Sequence, residues 1–325
     1  METSNKILTI AICAYNMEKY ICNCLDSCLI NSIEDIEVLV LNDGSTDRTA
    51  EIVKEYQNKY PESIFLINKP NGGWGSNLNM AVTIATGKYF KNLDADDWYE
   101  RDNLQKLVEF MKTTEVDFIA TKYRVCYPEK KVDDAPKWGK YGGKEVILND
   151  IKEGLVFPIW DISYKTEMVK KYYTDLPHGS LYTDNLYVYE MMQHVKTAYF
   201  MDILIYNYRL GRDGQSMSSE SMHKHYKEML TIIDTMLIRY KEGLPENNSQ
   251  HVIRRLTCTY SGFMRSLIRL QGYEDVNGVE ILKEYDSRLK EEYKEIYDKT
   301  NEFKFLRAAR MLNYKCTKIL VKFAR

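Results

Sequence analysis

Apolar residues along the first 120 positions occur in short runs, which alternate with stretches of helical spacing. Strands are predicted at 7–12, 36–41, 64–67, 89–93 and 116–120. Apolar stripes predict three helices between these strands, near 49–60, 78–85 and 104–111, and Gly87 is well placed to cap the second. This alternation predicts an α/β fold, in which a mainly parallel sheet has helices on both faces.

The pattern changes after position 120. Residues 121–150 are polar and predict a hairpin or flap, which is followed by helices near 165–173 and 183–194 and a strand near 198–208. From about 220 to the end the spacing is almost entirely helical. We therefore expect an α/β domain at 1–215 and a helical C-terminal region at 216–325.

Composition narrows the class of protein. Of the 325 residues, 44% are hydrophobic and 28% are charged, which is typical of a globular protein with a sizeable core. The net charge of −2 gives no general attraction to nucleic acid, so no such partner is expected. The seven scattered cysteines form no zinc-binding pattern, which favours reduced thiols in a cytoplasmic protein. No signal peptide and no membrane-spanning apolar run is evident.

Three polar clusters follow predicted strands. Residues 14–18, 42–47 and 94–97 read AYNME, NDGSTD and DADD. Helix capping or an ordinary turn is an alternative explanation for each cluster alone. Because ligands bind at the carboxyl ends of strands in an open parallel sheet, we expect the three clusters to meet at one edge.

The DADD cluster points to a cation. Asp94 and Asp96 repel each other unless a cation lies between or beside them, and such oxygen ligands favour Mg²⁺ or Mn²⁺. A diphosphate leaving group needs a cation of this kind, because negative charge grows on it as it departs. Acids that favour a helix N-terminus are the alternative explanation.

The clusters belong to longer motifs, which read ILTIAICAYNMEKYICNCLDSCL, IEVLVLNDGSTDRTAEI and NKPNGGWGSNLNMAVTIATGKYFKNLDADDWYE. In this order and spacing they resemble the family 2 glycosyltransferases of the GT-A fold, over residues 6–115. The resemblance implies a metal-dependent enzyme of GT-A fold. Such an enzyme transfers a sugar with inversion from a nucleotide diphosphate donor, most often a UDP sugar, to a hydroxyl acceptor.

The resemblance also implies roles for the residues that match its motifs. Residues 14–16 match the loop that holds the nucleotide, and Asp43 matches the acid that accepts a hydrogen bond from the base. Asp94 matches the carboxylate near the ribose, and Asp96 matches the ligand of a Mn²⁺ or Mg²⁺ cofactor. Residues 71–79 match the loop and helix start that close over the donor. The expected nucleotide-binding residues are Ala14, Tyr15, Asn16, Glu18, Asp43, Gly73, Asn79, Asp94 and Ala95.

The catalytic base is expected further along the chain. The segment LYTDNLYVYEMM resembles the part of the family in which an acidic pair opens a helix, and Asp184 matches the base that deprotonates the acceptor. Thr183 stands where an acid is common, so the motif is incomplete. A helix cap is the alternative role for Asp184, and Asp161 and Asp97 are the alternative bases.

The segment YNYRLGRDGQSMSS resembles the part that returns over the active site in related transferases. Arg209, Arg212 and Gln215 are therefore candidate contacts of the diphosphate, with a plain surface loop as the alternative. A further metal ligand is often supplied from this half of the chain, and His223 and His225 are the nearest candidates.

Residues 301–325 stand apart, because they carry seven Lys or Arg and one acidic residue. On a helical wheel one side is crowded by Lys304, Arg307, Lys315, Lys318, Lys322 and Arg325. The apolar side is formed by Phe305, Leu312, Cys316, Ile319, Leu320 and Phe323. This layout is typical of a helix that lies in an anionic membrane surface, here the inner face of the plasma membrane. A last helix packed on the domain is the alternative. Membrane binding would suit a glycan acceptor carried on a lipid, as in the assembly of bacterial surface polysaccharide.

Other classes of function fit the sequence less well. A dehydrogenase is disfavoured because the first strand leads into AYNMEKY rather than a glycine-rich G-x-G-x-x-G turn. A phosphatase with an Asp-x-Asp nucleophile would need its acids after the first strand, whereas DADD follows a later one. A catalytically inactive module that binds a nucleotide sugar stays open as the alternative.

Overall fold

The computed structural model describes residues 6–129, 131–132, 138–212, 214–216, 218–270, 273 and 275–315. It divides into two compact units, the first of Met1–Ile151 and Phe157–Arg212 and the second of Lys152–Val156 and Asp213–Arg325. The division at Arg212 differs slightly from the boundary expected at 215. The hydrophobic pattern gave no sign that 152–156 belongs to the second unit.

The first unit is a ten-stranded sheet flanked by helices. Its elements in chain order are β1 Leu8–Ala14, α1 Ile21–Cys28, β2 Ile36–Asp43, α2 Thr49–Lys59, β3 Ile64–Lys69, α3 Gly73–Ile84, β4 Tyr89–Asp94, β5 Trp98–Tyr99, α4 Arg101–Thr113, β6 Phe118–Cys126, β7 Lys131–Val132, β8 Glu145–Ile147, β9 Ile162–Lys165, α5 Thr166–Tyr172, α6 Asp184–Met191 and β10 Thr197–Arg209. The predicted strands and helices are thus confirmed, with their ends shifted by a few residues.

The order of the main strands is β3-β2-β1-β4-β9-β6-β10-β5. The first four strands in this order are parallel to one another, as are β6 and β10. β9 lies antiparallel between β4 and β6, and the short strands β5, β7 and β8 also pair antiparallel. The predicted α/β sheet flanked by helices is confirmed, and the sheet is mixed beyond β4.

The core of this unit follows from the apolar pattern. Every residue of β2 is buried, as expected for a central strand that is covered on both faces. The helix α4 buries Leu104, Leu107, Val108 and Met111, which recur at the spacing of one helical face. Burial of these stripes fixes the helices against the sheet and leaves the carboxyl ends of the strands free to carry loops.

Gly87 has a different role from the one predicted. The helix α3 ends at Ile84 and is capped by Ala85, so the prediction that Gly87 caps it is wrong. A Cβ atom at Gly87 would lie 2.5 Å from the backbone nitrogen of Thr9 on β1. The N–H of Gly87 donates to Thr9 Oγ1 at 2.9 Å. Glycine is needed here because the chain passes close against β1 before it enters β4.

The second unit is helical, as predicted. Its helices in the described part of the chain are α7 Ser219–Lys224, α8 Tyr226–Glu242, α9 Ser249–Arg269, α10 Gly278–Glu292, α11 Lys294–Thr300 and α12 Lys304–Met311. The segment 152–156 docks on α9, where the N–H of Leu155 donates to His251 Nδ1 at 3.0 Å. Within the described residues, no helix is long and apolar enough to cross a bilayer.

The C-terminal region is not one continuous helix. α12 ends at Met311, and Asn313 and Tyr314 adopt positive φ angles of 48° and 57°. Phe305 is buried within the second unit, where the Arg310 guanidinium also pairs with the buried Asp286 carboxylate at 2.7 Å. The part of the predicted membrane-facing stripe that belongs to α12 therefore packs on protein. Leu312, the C-cap of α12, is half-buried, and the remaining members of that stripe, Cys316, Ile319, Leu320 and Phe323, lie outside the described residues.

Candidate active site

The three polar clusters meet at one edge of the sheet, as predicted. Ala14 at the end of β1 pairs in register with Asn42 at the end of β2. On the other side of β1, Cys13 pairs in register with Asp94 at the end of β4. The loops that follow these three strands are therefore neighbours at the carboxyl edge, which is where open α/β sheets bind ligands.

The first two loops are locked together by hydrogen bonds. The N–H of Asn16 donates to Ser45 Oγ at 3.0 Å, and Asn16 Oδ1 accepts from the N–H of Thr46 at 2.8 Å. The side chain of Glu18 accepts from the N–H of Arg48 at 3.0 Å. Asn16 and Glu18 thus hold the loops, whereas Tyr15 is 47% exposed and Ala14 is buried. Direct contacts of these four residues with a nucleotide stay a prediction.

Asp43 organises the glycine-rich loop before α3. Its buried carboxylate forms an ion pair with Lys69 and accepts the N–H groups of Gly72 and Gly73 at 2.9 and 2.8 Å. Gly73 has a φ of 78°, a conformation that glycine adopts at no steric cost. A carboxylate has about four lone-pair sites, so Asp43 retains capacity to accept from a base. That contact stays a prediction.

The glycine-rich loop is fastened to the segment that leads to Asp184. The N–H of Gly179 donates to the carbonyl of Gly72 at 2.7 Å. The amide of Asn79 donates to the carbonyl of Leu176 at 3.1 Å and accepts from Tyr173 and from the N–H of Leu176. Asn79 therefore positions the 173–176 segment. Its contact with the nucleotide stays a prediction. Such a contact would use the part of the amide group that does not bond to residues 173–176.

The acids of the DADD cluster differ in their surroundings. Asp94 accepts a hydrogen bond from Trp74 Nε1 at 3.3 Å, and Ala95 is buried. Asp97 is buried, where it accepts from the Tyr206 hydroxyl and from the N–H of Arg209, both at 2.7 Å. Burial raises the pKa of Asp97 well above its usual range. Asp97 thus ties β10 to the site, which argues against its role as an alternative base.

The basic side chains of the site lie against Asp96. Its carboxylate forms an ion pair with Arg212, and its backbone carbonyl accepts from Arg209 Nε at 2.7 Å. The Arg209 guanidinium also lies over the rings of Trp98 and Tyr20, at 4.7 and 5.2 Å from their centroids. The structure therefore brings two guanidinium groups to Asp96, one to its carboxylate and one to its backbone carbonyl.

Electrostatic coupling extends this cluster to Asp184. Burial, the neighbouring Asp96 carboxylate and Asp184 together raise the pKa of Asp94 to about 7, although Trp74 and Arg212 act in the opposite direction. Burial also raises the pKa of Tyr208, with further contributions from four carboxylates that include Asp184. Asp184 thus lies within electrostatic reach of the DADD cluster, as a base at this site must.

The position of Asp184 in α6 bears on its alternative role as a helix cap. Asp184 is the first residue of α6, and the cap position is taken by the buried Thr183. The Asp184 carboxylate accepts from Asn185 Nδ2 at 3.1 Å. An acid in the first helical turn is favoured by the helix dipole, but Asp184 lies inside the helix, and Thr183 occupies the cap position without a side-chain capping hydrogen bond. Asp161, the other alternative base, is fully buried.

The carboxylate oxygens at this edge suit a cation that takes most of its ligands from phosphate groups and water. Asp94 and Asp96 offer carboxylate oxygens, and the described residues contain no group of three or more His, Cys, Asp or Glu placed to hold a metal. Mg²⁺ and Mn²⁺ are commonly held by one or two carboxylates together with phosphate oxygens and waters. The ion pair between Arg212 and Asp96 shows that positive charge is stabilised next to this carboxylate. The two carboxylates therefore fit such an ion.

Some of the predicted residues lie elsewhere in the structure. Gln215 belongs to the second unit, where it is buried and its carbonyl accepts from the N–H of Ser218 at 2.9 Å. His223 and His225 also belong to that unit and bond to Asp275 and Glu228, respectively. The predicted role of Gln215 at the diphosphate stays a prediction, and the two histidines have acidic partners within their own unit.

Two groups at the site, Lys69 and Tyr206, were not predicted from the sequence. Lys69 pairs with Asp43, and the two residues are in register on β2 and β3, so a register for the parallel strands would have suggested the pair. The Tyr206 hydroxyl reaches Asp97 because β10 pairs with β5. The separation of 109 residues between Tyr206 and Asp97 leaves no local signal of this contact.

A mixed α/β sheet with acidic and basic groups on interlocked loops at its carboxyl edge is typical of a nucleotide-binding enzyme. The chain belongs to glycosyl transferase family 2, because the model of that family matches residues 9–173, half of the chain. Chondroitin synthase of Pasteurella multocida (strain Pm70) is 39% identical over 124 residues. That stretch is 38% of this chain but 13% of the relative, so the chain spans a small part of that protein's length.

Solved structures share the fold over nearly the whole chain. TarS 1-349 of S. aureus, in complex with UDP-GlcNAc, is similar with a TM-score of 0.67 and 20% identity, over 98% of this chain and 90% of that chain. The mannosyltransferase PcManGT of Pyrobaculum calidifontis, in complex with GDP-Man and Mn²⁺, has a TM-score of 0.53 and 16% identity, over 95% and 87% of the two chains. The fold is therefore of the GT-A type, with a helical C-terminal region.

The raised pKa of Asp94 makes a prediction about stability in metal-free buffer. Because the folded state disfavours the ionised carboxyl, the wild type should lose stability as pH rises from the ordinary Asp value toward 7. Asp94→Asn keeps an acceptor for Trp74 and cannot ionise. We expect its free energy of unfolding to exceed that of the wild type at pH 8 and to approach it at pH 4.5. Each pKa unit corresponds to about 1.4 kcal/mol, and solvent contact at this half-buried carboxyl reduces the expected gain to roughly 1–2 kcal/mol.

Urea unfolding in EDTA at the two pH values measures this difference. Glu55→Gln, which removes an exposed acid on α2, serves as the control and should show no comparable gain at pH 8. Parallel pH profiles for the wild type and Asp94→Asn would contradict the account of crowded carboxylates.

Proposed function

We propose that this chain transfers a sugar, with inversion at the anomeric carbon, from a nucleoside diphosphate donor to a hydroxyl of a glycan or lipid-linked acceptor. A UDP sugar is the donor that we favour, in the assembly of a bacterial surface polysaccharide. The observation that carries the proposal is the gathering of Asp94, Asp96 and Asp184 with Arg209 and Arg212 at the carboxyl edge. The complexes of TarS with UDP-GlcNAc and of PcManGT with GDP-Man and Mn²⁺ support it.

The donor would lie along this edge. Residues 14–16 and Asp43 would hold the nucleotide, with the glycine-rich loop allowing close approach of the backbone. Asp94 would hold the ribose, and Asp96 would hold a Mn²⁺ or Mg²⁺ ion. A bound divalent cation supplies positive charge to the diphosphate oxygens as the sugar departs.

The transfer itself is a single displacement. The acceptor oxygen forms a bond to the anomeric carbon while the bond from that carbon to the diphosphate oxygen breaks. Asp184 takes the proton of the acceptor hydroxyl in this step. The guanidinium groups of Arg209 and Arg212 stabilise the negative charge on the leaving diphosphate, because they lie beside Asp96 at the same edge.

A second function has one observation in its favour. Arg212 neutralises Asp96, as expected in an inactive module that binds a nucleotide sugar without a cation. The two functions differ in turnover. A thermal-shift screen of nucleotide sugars with Mn²⁺ identifies the donor, which stabilises the folded form by mass action. Release of UDP from that donor, with water or glycans as acceptors, supports the transferase, and stabilisation without release supports the binding module.

Substitution of the base separates binding from chemistry. Asp184→Asn should keep the affinity for the donor identified by the screen, because the amide is nearly isosteric, while release of UDP falls by about 10²–10⁴-fold. Calorimetry with UDP measures binding, and a coupled UDP assay measures turnover. Asp175→Asn, which removes an exposed acid in the 173–176 segment, is the matched control. It should leave donor binding and turnover unchanged. If Asp184→Asn retains turnover, another residue is the base.

We also propose that the basic C-terminal segment attaches the protein to the cytoplasmic face of the plasma membrane, where a lipid-linked acceptor would be available. The support is compositional, since residues 301–325 carry seven Lys or Arg. The apolar side of α12 packs within the second unit, so the attachment would depend on the residues that follow Lys315.

Flotation with vesicles tests this attachment. The full chain should float with vesicles that contain anionic lipid and not with neutral ones, because each basic residue near an anionic surface contributes about 1 kcal/mol. A chain truncated after Lys315 loses Lys318, Lys322 and Arg325 and should stay in the dense fraction. Equal flotation of the two chains, or flotation of neither, would contradict the proposal.

A further inference from the structure

The contact between Arg212 and Asp96 has an implication for how the site is filled. Arg212 Nε donates to a carboxylate oxygen of Asp96, and the side chains of the two residues are only 16% and 8% exposed. This carboxylate is also the one expected to bind the cation. In the structure it already has a positively charged partner that is largely shielded from water.

The two arginines beside Asp96 are held in different ways. Arg209 is part of β10, its backbone N–H donates to Asp97, and its guanidinium bonds the Asp96 carbonyl while lying over two aromatic rings. Arg212 follows the end of β10 and comes directly after Gly211, which has a φ of 90°. Its guanidinium approaches one of those rings, Tyr20, at 5.9 Å. Strand pairing therefore fixes the backbone of Arg209, whereas Arg212 lies beyond the last paired residue of β10.

A guanidinium group and a divalent cation compete for one carboxylate. Arg212 Nε engages one carboxylate oxygen of Asp96, but the guanidinium and the cation are both positively charged and repel each other in a poorly solvated site. A cation therefore binds Asp96 more tightly once Arg212 has moved away. A displaced guanidinium then needs a new anionic partner, and a diphosphate is a good one because it accepts paired N–H groups.

We propose that Arg212 is an exchangeable counter-ion, which pairs with Asp96 in the substrate-free protein and transfers to the diphosphate when the cation and the nucleotide bind. The proposal rests on the proposed function, and it adds a positioning role that couples the two ligands. The nucleotide gives Arg212 a new partner and so opens Asp96 to the cation. By linkage, the cation increases the affinity for the nucleotide by the same factor.

Removal of Arg212 should then have opposite effects on the two ligands. Arg212→Gln takes away the competitor for Asp96, so the affinity for Mn²⁺ alone should rise by roughly tenfold, within the usual range of coupling between sites. The same variant loses a diphosphate contact, so the affinity for UDP in saturating Mn²⁺ should fall. The factor by which UDP increases Mn²⁺ affinity should be smaller than in the wild type, and what remains comes from ligation of the ion by the phosphates. Loss of a residue that merely supports the fold would not strengthen the binding of Mn²⁺ while weakening the binding of UDP.

Binding of Mn²⁺ is measured by the electron paramagnetic resonance signal of the free ion, with and without UDP, on the full chain. Arg48→Gln is the matched control, because it neutralises an exposed arginine on the same unit that pairs with Glu51, and it should behave as the wild type. Arg212→Lys keeps the charge but loses the guanidinium fork, so its affinity for Mn²⁺ alone should lie between those of the wild type and Arg212→Gln. Thermal melting in EDTA shows whether each variant is folded.

The possible outcomes separate this inference from the proposed function. Unchanged or weaker binding of Mn²⁺ alone by folded Arg212→Gln overturns the exchange, and if that variant fails to fold, wild-type affinity in Arg212→Lys does so. Asp96→Asn tests the cation itself. If it leaves Mn²⁺ binding in the presence of UDP intact, the cation site of the proposed function is wrong. If it abolishes that binding while Arg212→Gln has no effect, only the exchange is wrong.

Discussion

The crowding of carboxylates at one edge of the sheet is the constraint on which this site depends. Asp94, Asp96, Asp97 and Asp184 all act on the same small region. Burial together with these four carboxylates raises the pKa of the Tyr208 hydroxyl, and burial together with Asp96 and Asp184 raises the pKa of the Asp94 carboxyl. Like charges at short range are costly where water is partly excluded. The arrangement persists because the surrounding fold supplies donors and positive charge, and because burial favours the protonated forms of Asp94 and Asp97, whose pKa values are raised.

The fold supplies these groups mainly through β10. This strand brings the Tyr206 hydroxyl to Asp97 and the N–H and guanidinium of Arg209 to Asp97 and Asp96, and the chain then continues to Arg212. On the opposite side of the edge, Asp43 receives Lys69 and two backbone N–H groups of the glycine-rich loop. Under the proposed function, the same positive groups that stabilise the acids also bind the diphosphate. Structural stability and ligand binding would then draw on one set of contacts.

Local sequence patterns predicted the strands, the helices between them and the meeting of the three polar loops, because parallel strands bring their carboxyl ends to one edge. Contacts that depend on distant packing were not predictable. Examples are the return of Tyr206 to Asp97 and the use of the Asn79 amide to hold the 173–176 segment. Gly87 was misjudged for a similar reason, since its requirement comes from Thr9 on β1 and not from the helix before it. Helical spacing likewise gave no sign of the break after Met311.

The central claim is that Asp96 holds a divalent cation beside the diphosphate of the donor. Anomalous diffraction at the manganese edge, from crystals grown with Mn²⁺ and UDP, tests it most directly. We predict a strong anomalous peak at coordination distance from the Asp96 carboxylate and the UDP phosphates, with the Arg212 guanidinium on the diphosphate. Bound UDP with no manganese peak, and with Arg212 still paired to Asp96, would contradict the account.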